Sequence, residues 1–386
     1  MKITQLKMCL LLSTKLHPDY PLIILSNRDE FYSRPTQRAS FIDGNILSPL
    51  DMAREEHGTW LGVTKTGKIA VLVNYRENLQ KNPISKISRG LIPQLFLKSE
   101  LSPEKWHSQI KQQTNNFKDV GGFSLLFGYL QFDKRNETIR PLHIMSNRTN
   151  ERVHVFSEPT SETGSLLSDE ESKEEFESNP LSSSTIGLSN SLYLNPWPKV
   201  VDGEQRLTQM INTSISEHWS EDKLIQGCLD VLSVSNPPDH KDWSKMTYLE
   251  AFQTMPQSIF IPPVHTQDST NTRVQKNHGM PLSGKYYGTR SQTIILVDKF
   301  GKVKYVERDL HNSDDLSEVP SVQTYEFKVA SWNHSTESEC CGGKVTDNHN
   351  GSENNNEEEN ENDVGVGGVG EMLGFDDERT ELAVVL

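Results

Sequence analysis

The sequence predicts an α+β fold of largely antiparallel sheets covered by helices, and three observations carry that prediction. Strand-like runs flank a tight turn early in the chain, Trp60–Thr64 and Ile69–Tyr75 around Thr66-Gly67, and again late, Gln292–Asp298 and Val303–Arg308 around Lys299-Phe300-Gly301. Each pair reads as a hairpin, because glycine in a short loop supplies the backbone geometry that joins antiparallel strands. Helical patterns are grouped between these blocks and do not alternate with single strands, so a βαβ chain is not expected.

Taken in order, the chain opens with two apolar runs, Met8–Ser13 and Leu22–Ser26, bounded by His17-Pro18 and by the charged cluster Asn27-Arg28-Asp29-Glu30. Phe123–Leu130 follows Gly121-Gly122, Ile139–Met145 is a further strand candidate, and Gln323–Val329 alternates as a strand does. Ser102-Pro103-Glu104 signals a helix start, with Ser as the cap and Pro at the first helical position, leading into Trp106, Ile110 and Gln113. Ser220-Glu221-Asp222 caps a second helix whose Leu224, Ile225, Cys228, Leu229 and Leu232 share one face, making Cys228 a core residue.

The net charge of −14 is unevenly spread over the 386 residues. Residues 331–386 carry −12 and residues 157–180 carry −7, which leaves the rest at +5. The acidity therefore belongs to appendages: an acidic, Ser-rich insertion over 157–184 and an Asn/Glu/Gly-rich tail over 331–386, expected to be disordered. With residues 1–7 as an N-terminal extension, the expected folded domain is 8–330. Gly365 to Gly370 spells G-x-G-x-x-G, yet only sixteen residues follow it, so no dinucleotide-binding unit can form there.

Cys9, Cys228, Cys340 and Cys341 make neither a disulfide framework nor a zinc pattern, and no metal is expected. No apolar run reaches the ~18 residues that a membrane span needs. The start of the chain is too weakly apolar for a signal peptide, and its lack of Arg argues against a mitochondrial presequence. Sequons such as Asn136-Glu137-Thr138 then carry little meaning, and a cytoplasmic setting is expected. Nucleic acid is not an expected partner for acidic segments. The oligomeric state cannot be read from the sequence.

Polar residues cluster where the apolar runs end. Asn27-Arg28-Asp29-Glu30 closes the second run, Asn74-Tyr75-Arg76 closes the hairpin, and Gly187-Leu188-Ser189-Asn190 precedes Asn195-Pro196-Trp197. Tyr287-Gly288-Thr289-Arg290 comes just before Gln292–Asp298. Singly, these are ordinary turn and cap residues. Together, with Gly58-Thr59-Trp60-Leu61-Gly62 and Thr324-Tyr325-Glu326-Phe327, they resemble the NRDE family, also called the transport and Golgi organisation protein 2 family, from Met8 to about residue 328. Asn27-Arg28-Asp29-Glu30-Phe31 matches its name-giving signature.

The resemblance implies an Ntn-hydrolase-like four-layer αββα sandwich. It also implies that Cys9 is the nucleophile, that Arg28 with Asp29 or Glu30 orients the N-terminal group and favours the thiolate, that Asn74 and Asn190 donate to an oxyanion, and that Arg290 adds positive charge at the pocket floor. Such enzymes use the free α-amine of the first residue as base, but here Met1–Lys7 precede Met8. Translation from Met8 with removal of Met, or clipping, would free Cys9.

Two readings of function follow from the resemblance. In the first, the protein takes part in Golgi organisation, secretion and intracellular haem or lipid handling by binding a small molecule, haem or an acyl compound, with no required cofactor and with Golgi or mitochondrial association. His17, His57 and Cys9 are the haem-ligand candidates by position, although no haem signature is present. In the second, it is a cysteine amidohydrolase cleaving a linear or N-acyl amide. A third reading makes the acidic tail an interaction scaffold.

Overall fold

The computed structural model describes residues 7–76, 87–133, 138–149, 152–155, 184–237, 242–266 and 284–333. Residues 1–6, Asn136 of the sequon, residues 157–183 of the expected insertion and the tail from 334, with Cys340 and Cys341, lie outside these.

The first apolar run forms β1 (Lys7–Thr14), paired antiparallel with β2 (Leu22–Phe31). A second sheet begins with β3 (Thr36–Ile42) and β4 (Ile46–Asp51), neither legible beforehand, and continues into the expected hairpin of β5 (Leu61–Thr64) and β6 (Lys68–Asn74). Two helices follow, α1 (Leu91–Lys98) and α2 (Pro103–Gln113). Ser102 caps α2 as expected, its side chain accepting from Lys105 N at 3.4 Å. Then come β7 (Phe123–Tyr129), the short pair β8 (Phe132–Asp133) and β9 (Thr138–Ile139), β10 (Leu142–Ser146) and β11 (Arg152–Val155).

The chain returns to the first sheet as β12 (Thr185–Leu188) and lays α3 (Pro198–Ser216) and α4 (Glu221–Leu232) across its outer face. The Ser220 side chain caps α4, and Cys228 is buried, both as read from sequence. Gly203 lets α3 approach β1, since a Cβ there would meet Leu11 Cδ2 at 2.7 Å. After α5 (Tyr248–Thr254) come β13 (Val264–His265), the long β14 (Tyr286–Val297), β15 (Lys302–Asp309) and β16 (Ser321–Lys328). The β14–β15 turn needs Gly301, which sits at φ +79° against the Trp332 ring.

One sheet runs β12-β1-β2-β14-β15-β16, with β13 added on β14; the other runs β11-β10-β7-β6-β5-β4-β3. Helices α3 and α4 pack on the first and α1 and α2 on the second, which is the expected αββα layering. Alternation along the strands builds two separate cores. Met8, Leu10, Leu12, Leu22 and Ile24 face the second sheet, among Leu61, Val71 and Leu126. Cys9, Leu11, Ile23 and Leu25 face α3 and α4, among Leu207, Leu224 and Cys228. A strand buried on both faces must send every polar residue it carries into one core or the other.

Candidate functional site

The sequence reading placed Asn27–Glu30 and Tyr287–Arg290 at strand ends, but both stretches lie within β2 and β14 and pair with one another. Their polar residues looked like strand stops because the groups that satisfy them are remote in sequence. Being inside a strand, consecutive residues of the signature point to opposite faces.

On the helix face, Asn27 Nδ2 donates to the carbonyls of Leu232 at 2.7 Å and Ile259 at 2.9 Å. Asp29 Oδ1 accepts from the Thr289 hydroxyl at 2.7 Å, and Asp29 Oδ2 lies 3.8 Å from Lys199 Nζ in the first turn of α3. Neither Asp29 nor Lys199 is exposed to solvent. Cys9 is opposite Asn27 in the register, so it shares this face and is the diagonal neighbour of Asp29. The thiol is wholly buried and pushed up to about 11; desolvation dominates, Lys199 lowers it, and Asp29 and Glu204 raise it. With residues preceding it, Cys9 is therefore a resting thiol.

Arg28 and Glu30 point the other way, toward the second sheet. The Arg28 guanidinium lies over the Trp60 ring at 4.3 Å from its centroid and is only 3% exposed. Neither its Nε nor its Nη2 has a hydrogen-bond partner. Nearby carboxylates are engaged elsewhere: Asp51 and Glu30 lie 2.7 and 3.6 Å from Arg34, and Asp309 lies 2.6 Å from Arg38. The acidic partner on the face of Cys9 is thus Asp29, and the expected approach of Arg28 to the thiol is prevented by strand alternation.

A register shift between Thr289 and Ser291 turns Arg290 toward the Arg28 side. Its guanidinium donates to the carbonyls of His311 (3.0 Å), Phe31 (3.4 Å) and Arg34 and to the Thr36 hydroxyl (3.3 Å). These acceptors bring no negative charge, and burial with the Arg28 charge drives Arg290 down to about 9. Arg28, Trp60, Arg38, Arg290, Glu307 and Asp309 line one pocket between the sheets. Within it, burial and Asp309 push Glu307 up to about 7.

Asn74 and Asn190 do come together. Asn190 Oδ1 accepts from Met8 N at 3.1 Å, and its Nδ2 donates to the Asn74 carbonyl at 2.5 Å. Ser189 Oγ adds a bond to the Met8 carbonyl at 3.0 Å. In the intact chain this bracket engages the Asn190 donor expected for an oxyanion. His17 sits in the β1–β2 connection, about 16 Å or more along the strand from Cys9, and His57 is exposed ahead of Trp60. The three haem-ligand candidates do not converge.

A family model described as Transport and Golgi organisation 2 matches residues 8–312. The chain belongs to the Transport and Golgi organisation 2 family. Among its relatives, an uncharacterised Saccharomyces cerevisiae protein, YGR127W, is 29% identical over 321 residues, covering 80% of this chain and 94% of that one. The human Transport and Golgi organization protein 2 homolog is 29% identical over 324 residues, covering 81% and 94%. Of solved structures, a variant of conjugated bile acid hydrolase from Clostridium perfringens aligns over 85% of this chain and 99% of its own at 10% identity, with a TM-score of 0.32.

For this member of the Transport and Golgi organisation 2 family, the sequence reading missed Lys199, Thr289 and the pocket roles of Trp60, Glu307 and Asp309. Lys199 had one signal: a cation two residues after Trp197, at a helix start where the macrodipole disfavours it. Among the described residues no His/Cys/Asp/Glu group could hold a metal, and no helix is long and apolar enough to cross a membrane.

Proposed function

We propose that the protein serves in transport and Golgi organisation, the role its relatives' names give, by holding a small anionic ligand between its sheets. One observation carries this reading: the buried Arg28 guanidinium, stacked on Trp60 with Arg290 beside it and hydrogen-bond donors directed at no protein acceptor. Glu30 and Asp51 offset part of the Arg28 charge, but the buried Nε and Nη2 donors are left unsatisfied, and a carboxylate or phosphate would fill them in bidentate fashion. The carboxylate of haem or the anionic head of an acyl compound meets that requirement, and only that head would enter the narrow pocket, which Glu307 and Asp309 also line. The separation of His17, His57 and Cys9 favours binding through the anion over binding through an iron ligand.

The test is a titration of the full chain with haemin, followed by its Soret band, and with oleoyl-coenzyme A, followed by calorimetry. At about 1.5–3 kcal/mol for a hydrogen bond to a charged group, Arg28→Met should weaken binding by roughly ten- to a hundredfold, and Cys9→Ala should leave it unchanged. Equal affinity in Arg28→Met and the parent overturns the reading.

A second reading, a Cys9 amidohydrolase, is favoured by the grouping of Cys9, Asp29, Thr289 and Lys199. As the Cys9 sulfur bonds the amide carbon and the C–N bond breaks, the thiol proton would pass to the leaving amine; water would then hydrolyse the thioester, releasing a carboxylic acid and restoring the thiol. No hydrolysis of N-acyl amides by a chain trimmed to begin at Cys9 would exclude it.

A further inference from the structure

The signature arginine does not reach the thiol, and the cation found on that face is Lys199. Lys199 is fully buried, its Nζ has no hydrogen-bond partner, and its contact with Asp29 at 3.8 Å is too long to be one. As a strut between α3 and β2 it is poorly made. An apolar side chain of similar volume would fill the space without a buried ammonium at a helix N-terminus, where the dipole opposes it. Its Nζ lies 3.8 Å from Asp29 and 5.9 Å from the Trp197 ring centroid, and Asp29 is the diagonal neighbour of Cys9 on the same buried face. The groups that act on the thiol are Lys199 from α3, Asp29 from β2 and Glu204 from the next turn of α3.

The same core provides a contrast. Cys228 on α4 is equally buried and its thiol is likewise pushed up, with the Asp230 carboxylate acting on it and no cation among the causes. We propose that Lys199 is a positioning residue for Cys9, supplying on the helix face the cation that the family signature places on the opposite face as Arg28. This inference rests on the second reading above, in which Cys9 is the reacting group. It adds that a chain in which residues precede Cys9, and which has no α-amine there, still carries an amine-bearing side chain beside Asp29 on the thiol's face.

The experiment uses the full chain carrying Cys340→Ser and Cys341→Ser, so that Cys9 and Cys228 are the two remaining thiols. Alkylation by iodoacetamide is followed at each thiol by peptide mass spectrometry between pH 7 and 10. Cys9 should react roughly tenfold or more faster than Cys228, because a cation beside a buried thiol favours its thiolate. Lys199→Met should slow Cys9 about tenfold and move its profile to higher pH while Cys228 is unaffected, and Lys199→Arg should restore most of the rate. Arg28→Met should leave the Cys9 profile in place.

Slowing or acceleration of both thiols together by Lys199→Met would reveal only a loosened core and overturn the inference. So would a Cys9 profile that follows Arg28. Lack of amide turnover would sink the hydrolase reading and leave this result standing, since alkylation is read without a substrate.

Discussion

Asn27 gives the family signature its first letter, and the structure makes it a structural clasp. Its carboxamide nitrogen caps the final carbonyl of α4, at Leu232, which has no intrahelical donor, and also holds the Ile259 carbonyl. Both bonds are buried. Removing the donor leaves two buried acceptors unsatisfied at about 1–3 kcal/mol each, so Asn27→Ala should lose roughly 2–6 kcal/mol. Asn27→Asp keeps the shape but aims a carboxylate at two carbonyl oxygens, and should lie at the upper end of that range. Urea unfolding followed by tryptophan fluorescence measures both. The introduced carboxyl would be held protonated more readily in the fold than when unfolded, so the gap to the parent should narrow as pH falls toward 5. An Asn27→Asp variant within about 1 kcal/mol of the parent at pH 8 would refute the reasoning.

Two further outcomes follow from burial. Glu307 has a folded pKa raised to about 7, so its contribution is fully present below the unfolded value near 4.5 and is lost as pH rises through 7. Half-buried Glu204, also raised to about 7, acts in the same window; Glu307→Gln should flatten, without abolishing, the fall in stability between pH 5 and 8 measured by urea titration. Met8 is fully buried between the sheets, so Met8→Ala should cost about 2–5 kcal/mol; a neutral outcome would mean that the folded domain begins after it.

Hairpins, caps and the core position of Cys228 were legible because they depend on neighbours within a few residues. The layering was legible only through the family resemblance. The side on which each signature residue acts was not, because it needs the register: Cys9 opposite Asn27 and Met8 opposite Arg28. A run such as Asn27-Arg28-Asp29-Glu30 reads as a strand's end when one face is assumed to meet water. Here both faces are covered, and the partners come from residues 232, 259, 289 and 199 on one side and Trp60 on the other. The one signal at Lys199, a cation at a helix start, could not name its partner, since only the packing of α3 against β1 brings it to Asp29.

The Asn190 bracket has a consequence for how this end of the molecule tolerates change. One carboxamide joins strands of different sheets, and both atoms it grips, the Met8 amide and the Asn74 carbonyl, belong to the main chain. Every residue type offers a carbonyl, and every type except proline offers the amide. Side chains at positions 8 and 74 can therefore vary without breaking the link. This cross-sheet link depends on a single side chain, and Asn190 is where one substitution would remove it while the apolar core between the sheets stays in place.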